Sequence, residues 1–277
     1  MKIDAHQHFW NVDNLEYPVL NKNRPHIYRN IEPPELAPLL QKMGMNKTVV
    51  VQAMDVCEET EYMLELAGKY EWIAGVVGWV PLHKPDEANI HLRKFSENPK
   101  FKGVRHLIMT ESDPEWMIQG NVMEGLRVLG SYQLSFDIPA VFPNHLVHIP
   151  VVAKNVPHLR IVIDHLAKPP IREKQMEPWA SQLKEAASHP NVYAKISGLN
   201  TAADWDTWAA EDIKPYIDVA FDVFGSERLM YGSDWPICNL SDDYERVWVE
   251  TNKALQGRSQ EERDYVFGRT AQQFYGL

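Results

Sequence analysis

Ile3-Asp4-Ala5-His6-Gln7-His8-Phe9-Trp10 opens the chain and decides how the fold is read. The block alternates like a strand, with Asp4, His6 and His8 on one parity and Ile3, Ala5 and Gln7 on the other. A doubly wound open sheet would usually carry a glycine-rich phosphate turn after such a first strand; here two histidines and a tryptophan stand in its place. Working outward, residues 3–9 are the first of eight short runs rich in Val, Ile or aromatics, the others being 48–53, 73–80, 103–108, 134–141, 160–165, 192–197 and 229–235. Helix-like apolar patterns fill most of the gaps, as at 60–70, 117–129, 176–188 and 214–224. Spread over eight repeats, 277 residues leave about 35 per unit, near the ~30 expected of one βα unit. The expected fold is an α/β (β/α)8 TIM barrel. Prolines are scattered at turns and no Pro/Gly/Ser-rich linker divides the chain, so residues 1–277 read as one domain.

Composition narrows the function. With 28 Lys and Arg against 38 Asp and Glu, the net charge of −10 argues against nucleic acid and anionic membrane surfaces as partners. No stretch approaches the roughly 18 apolar residues that span a bilayer. Cys57 and Cys238 lie far apart, outside any C-x-x-C pair, and read as reduced thiols. Together with an N-terminal stretch unlike a secretory signal, they place the expected location in the cytoplasm.

In a barrel of this kind the active site forms where strands end at the C-terminal rim. The parity of the first strand turns both imidazoles, His6 and His8, into the mouth. The sixth strand ends in His165 and the eighth in Asp234. Three histidines and an aspartate are the ligand types for one divalent ion, zinc foremost, with a general base beside it. In the seventh strand Tyr193, Lys195 and Ser197 should face inward, while Val192, Ala194 and Ile196 face the helices. Lys195 is thus a substrate-binding candidate. Either Arg105 or His106 of the fourth strand reaches the pocket, with Arg105 favoured. Trp10, Trp79 and Trp235 follow or end strands and are substrate-binding candidates as aromatic walls of the pocket. His26, His83, His91, His158 and His189 fall in expected loops or helices and read as surface residues. No G-x-S-x-G elbow is present and neither cysteine has an adjacent base, so covalent serine or cysteine catalysis fits poorly.

These blocks, with Val77-Gly78-Trp79-Val80, Gly103-Val104-Arg105-His106, Ile163-Asp164-His165-Leu166-Ala167-Lys168-Pro169, Lys195-Ile196-Ser197-Gly198-Leu199, Tyr231-Gly232-Ser233-Asp234-Trp235-Pro236 and the closing Phe274-Tyr275-Gly276-Leu277, resemble the amidohydrolase superfamily, and within it the sugar-lactone hydrolase branch. The resemblance covers essentially the whole chain. It implies hydrolysis of a small sugar (aldono-) lactone of the L-fucono- or L-rhamnono- type. Asp234 would activate water and His165 would assist, with His6, His8, His165 and Asp234 on the family's active-site positions. Many relatives add a metal-ligating histidine from strand five, but 135–140 holds none and His145 lies in the following loop. The lysine that bridges two metals in binuclear members is also missing from strand four. At most one divalent ion is therefore expected, and the branch includes members that work without metal. A nonoxidative decarboxylase on the same barrel is the alternative enzyme, and a barrel that has lost catalysis is the non-enzymatic one. A homo-oligomer is compatible with the sequence, which does not specify one.

Overall fold

A computed structural model describes every residue except 18, 19 and 21. Eight parallel strands pair in chain order: β1 Ile3–Gln7, β2 Lys47–Val51, β3 Ile73–Gly78, β4 Phe101–Arg105, β5 Ser135–Ile138, β6 Arg160–Ile163, β7 Val192–Ile196 and β8 Leu229–Tyr231. A parallel bridge from Gln7 to Trp235 brings the first and last strands together, giving the expected barrel. Around it lie α1 Pro33–Met43, α2 Cys57–Lys69, α3 Pro85–Phe95, α4 Gly120–Ser131, α5 Ile149–Asn155, α6 Trp179–Ala187, α7 Leu199–Ala202, α8 Ala210–Phe224, α9 Tyr244–Ala254, α10 Gln260–Asp264 and α11 Thr270–Tyr275. None of the described helices is long and apolar enough to cross a membrane.

The strand faces follow from burial. Val50, Ile73, Val104, Phe136, Ile161, Val192, Ala194 and Ile196 join the large core between sheet and helices. Ile3, Ala5, Val49, Val51, Val77, Val162 and Met230 form a second core inside the barrel, where Ala271, Phe274 and Tyr275 of α11 pack against them. The C-terminal helix thus plugs the base of the barrel. The side-chain stems of β7 climb the interior as expected: Tyr193 lies against Phe274 with ring centroids 4.7 Å apart, Lys195 is fully buried above it, and Ser197 reaches His165.

The parity read for the first strand needs correction. Its register against β2 shifts between Asp4 and Gln7, so the simple period of two breaks there. Ile3 and Ala5 face the barrel interior and Asp4 faces outward, accepting hydrogen bonds from the Tyr244 hydroxyl of α9 at 3.1 Å and the Ser233 backbone at 2.9 Å. The irregularity returns His6 and His8 to the inside. Buried in this outer position, the Asp4 carboxyl is pushed up to about 6.

The strands also end one to four residues earlier than the sequence pattern predicts, because the chain turns over the barrel mouth. His165, Leu166, Ala167 and Lys168 all have left-handed backbone, with φ of 54°, 49°, 60° and 50°, and Asp234 has φ 59°. Such geometry costs L-residues about 1–2 kcal/mol each and is held only where the surroundings over-determine it. It swings both functional side chains off the strand axis and across the opening.

Candidate active site

Three imidazoles converge on one carboxylate oxygen. Asp234 Oδ1 lies 3.3 Å from His8 Nε2, 3.6 Å from His6 Nε2 and 3.8 Å from His165 Nε2. The His6 ring sits edge-on to both others, its centroid 4.9 Å from that of His8 and 4.6 Å from that of His165. Glycines make the room: a Cβ on Gly198, whose φ is +58°, would come within 2.8 Å of both Asp234 Oδ2 and His165 Nδ1. All four side chains are nearly or fully buried.

Backbone and side-chain partners hold each ring. His8 Nδ1 is 2.7 Å from the Val51 carbonyl, which can only accept, so Nδ1 carries the proton and Nε2 offers its lone pair to the centre. His165 Nδ1 is fixed by Ser197 Oγ at 2.8 Å. Burial lowers His165 to about 4 and His6 well below its ordinary range, so both are neutral at pH 7. Burial alone would raise Asp234, but His165, with His6, outweighs it and holds the carboxyl well below the usual range. The centre therefore sets an ionised carboxylate beside the neutral imidazoles of His6 and His165.

This donor set fits a single divalent cation. Ligand bonds of ~2.0–2.2 Å in a tetrahedron separate donor atoms by about 3.3–3.6 Å, close to the spacings here. A His8 lone pair facing a carboxylate oxygen at 3.3 Å also calls for a positive charge between them. His6, His8 and Asp234 form one group able to hold an ion, and His6, Asp164 and His165 an overlapping one. His145 belongs to neither group; its Nδ1 accepts the Val141 backbone N–H at 3.1 Å.

Above the centre opens a cavity of about 260 Å³ whose lining includes the polar His8, Arg105, His165, Lys168 and Asp234 and the apolar Trp10, Leu107 and Met109. A larger groove of about 610 Å³, beside Arg127 and His158, holds no carboxylate or convergent histidines among its described lining residues. Arg105 is the strand-four residue that reaches the cavity. Its Nη1 lies 3.3 Å from the Gln52 carbonyl and 3.4 Å from His6 Nε2. His106 turns the other way, stacked on Trp116 at a centroid distance of 3.9 Å and accepting the Trp79 indole N–H at 2.9 Å. Neither Trp79 nor His106 lines the cavity, and Trp235 packs edge-on to Phe9 instead. Trp10 does line it, anchored by its Nε1–H to the Arg29 carbonyl at 2.9 Å.

Beneath the floor lies a buried charged layer built around Lys195. Sequence reading made Lys195 a substrate-binding candidate; here it lies under the cavity, outside its lining, with Asp137, Asp164 and Tyr275 as partners that the sequence reading left unassigned. Lys195 Nζ reaches Asp137 Oδ2 at 2.7 Å, Asp164 Oδ1 at 3.0 Å and His6 Nδ1 at 3.0 Å. Tyr275 of α11 donates to Asp137 Oδ2 at 2.6 Å, and Arg105 Nε stands 3.4 Å from Asp164 Oδ2. Burial opposes the charge on Asp164, yet Lys195, His6 and Arg105 hold it well below the ordinary range; burial raises Asp137. Asp137 pairs in register with Arg105, so inward parity on β5 would have been the signal for it. Lys168, carried to the rim by its left-handed turn, had no such signal.

A (β/α)8 barrel with a His-x-His pair on strand one, a histidine after strand six and an aspartate after strand eight defines a metal-type hydrolase of the amidohydrolase class. The amidohydrolase family model matches residues 3–277, and the chain belongs to that family. Over 281 residues it is 37% identical to an L-fucono-1,5-lactonase of Burkholderia ambifaria, covering 100% of this chain and 96% of that protein. A second L-fucono-1,5-lactonase, from Burkholderia multivorans, is 32% identical over 290 residues, covering 100% and 96%. The crystal structure of a Burkholderia multivorans amidohydrolase with bound zinc superposes with a TM-score of 0.93 at 32% identity, covering 100% of this chain and 99% of the other.

Proposed function

We propose that this chain hydrolyses the ring ester of a sugar lactone of the L-fucono-1,5-lactone type. The observation that carries the reading is the ionised Asp234 set among three imidazoles at the floor of a sugar-sized cavity, in a chain that is full-length similar to lactonases of that name. Asp234 accepts the proton of a water attacking the lactone carbonyl and returns it to the departing ring oxygen, the two steps any ester opening requires. Arg105, at the cavity edge, donates hydrogen bonds to the oxygen on which negative charge develops. Lys168 adds a second cation at the rim, suited to the carboxylate that ring opening releases. Trp10, Leu107 and Met109 give the ligand apolar contact, and the polar lining residues meet its hydroxyls. His6, His8, His165 and Asp234 would hold one zinc ion, which when bound supplies Lewis-acid polarisation of the carbonyl. The free thiols of Cys57 and Cys238 support a cytoplasmic setting.

A pH-indicator assay over a panel of aldonolactones, with and without chelator and with zinc added back, tests the reading. Turnover of L-fucono-1,5-lactone above the spontaneous rate is expected. Failure on every aldonolactone in the zinc-supplied protein would overturn it.

A further inference from the structure

His6 differs from its neighbours in having two opposed partners on the same nitrogen. Around Nδ1 stand Lys195 Nζ, a pure donor, at 3.0 Å and Asp164 Oδ1, a pure acceptor when ionised, at 3.3 Å. Around Nε2 stand Arg105 Nη1 at 3.4 Å and Asp234 Oδ1 at 3.6 Å. Two arrangements of the single imidazole proton are self-consistent. In one, Lys195 donates to Nδ1 and Nε2–H points at Asp234. In the other, Nδ1–H donates to Asp164 and Nε2 offers a lone pair.

Hydrogen counting chooses between them. Of its three N–H groups, Lys195 directs one to Asp137 Oδ2 at 2.7 Å and one to His6 Nδ1 at 3.0 Å, and its charge pairs with Asp164 Oδ1 at 3.0 Å. If Nδ1 carried the proton, the ammonium hydrogen aimed at it would face another N–H at 3.0 Å, in a site closed to water. Arg105 suffers less from the opposite choice, because its Nη1 has the Gln52 carbonyl at 3.3 Å as an alternative. His8, by contrast, has no such choice, since the Val51 carbonyl fixes its proton on Nδ1.

We propose that Lys195 is a positioning residue that sets the proton of His6 on Nε2, so that without a cation His6 is a hydrogen-bond donor toward the cavity floor and with one it must hand its proton to Nδ1, against Asp164. The two imidazoles of the His-x-His pair are then unequal: His8 is set permanently as a ligand, whereas His6 serves as donor or ligand. Asp137 and Tyr275 hold Lys195 in place from below. The proposal concerns the site described above, but its spectroscopic readout does not depend on which ester is cleaved, so either can fail alone.

Histidine side-chain 15N NMR on the full chain stripped of metal, then titrated with zinc, gives the test. Wild type should show His6 protonated at Nε2 and His8 at Nδ1, with His6 switching to Nδ1 as zinc is added. Lys195→Met should move the His6 proton to Nδ1 before any metal is present and tighten zinc about tenfold in a chelator competition. Should the unpaired carboxylates keep that variant from folding, Lys195→Met/Asp137→Asn removes one charge of each sign and should report the same shift. An Nδ1–H form of His6 in metal-free wild type would overturn the proposal. So would a folded Lys195 variant with an unchanged tautomer, or with zinc affinity equal to or below wild type.

Discussion

The two ends of the barrel interior are built on opposite principles. At the base, Ile3, Ala5, Val49, Val51, Val77, Val162 and Met230 close on Phe274 and Tyr275, and the space is filled by apolar contact. At the mouth four of the same strands deliver His6, His8, His165, Arg105 and Asp234, all buried like the base residues yet charged or polar. Burying such groups is unfavourable unless each finds a partner, and between the two ends the Asp137–Lys195–Asp164 layer supplies partners from below. The lesson is a division of labour. The base holds the barrel closed, and that stability allows the mouth to keep left-handed backbone and the neutral imidazoles of His6 and His165.

Substituting the mouth should change chemistry and leave the fold alone. Asp234→Asn keeps shape but cannot take a proton, so kcat for lactone hydrolysis should fall about 10²–10⁴-fold with a melting temperature near that of wild type. A variant that keeps near-full turnover would break the division at its most important residue. The converse substitution is at the base. Phe274→Ala leaves a void against Tyr193 and Tyr275 and should cost about 3–5 kcal/mol in denaturant unfolding, while the molecules still folded keep their KM. A large KM change there would show that the base shapes the site directly.

Protonation separates the ends in a third way. His165 is depressed to about 4 from 6.5, so as pH falls the unfolded chain binds this proton first. Its contribution to stability is complete above pH 6.5 and is lost on going down toward pH 4, by about 3 kcal/mol. Thermal unfolding across that window should show the slope, and His165→Gln should flatten it; an unaltered slope would assign the acid sensitivity elsewhere. The smallest effect belongs beside the mouth. Trp79→Phe removes only the indole N–H that His106 accepts, and should lower stability by about 0.5–1.5 kcal/mol with kcat/KM within about twofold of wild type, since Trp79 does not line the cavity. A tenfold loss in kcat/KM would bring that stack into the substrate site.

The repeat and its chemistry are legible from the residues alone. Eight Val/Ile-rich runs at barrel spacing, His6 and His8 two apart, His165 closing the sixth run and Asp234 the eighth were all legible, because strand ends in a barrel share one rim whatever the details of packing. Tertiary structure decided what depends on neighbours far along the chain. The register shift that turns Asp4 outward while keeping His6 inward arises from pairing with β2 and β8, and a one-residue slip reverses every face that a period of two would assign. The direction of Arg105 over His106 was fixed by Trp79 and Trp116 capturing the imidazole. The left-handed turn at 165–168 has no glycine to announce it. The Lys195 network likewise joins residues on four strands, the turn after β6 and the last helix, and no local pattern records such a meeting: side chains with opposite charge and complementary donors find one another only once the barrel has closed around them.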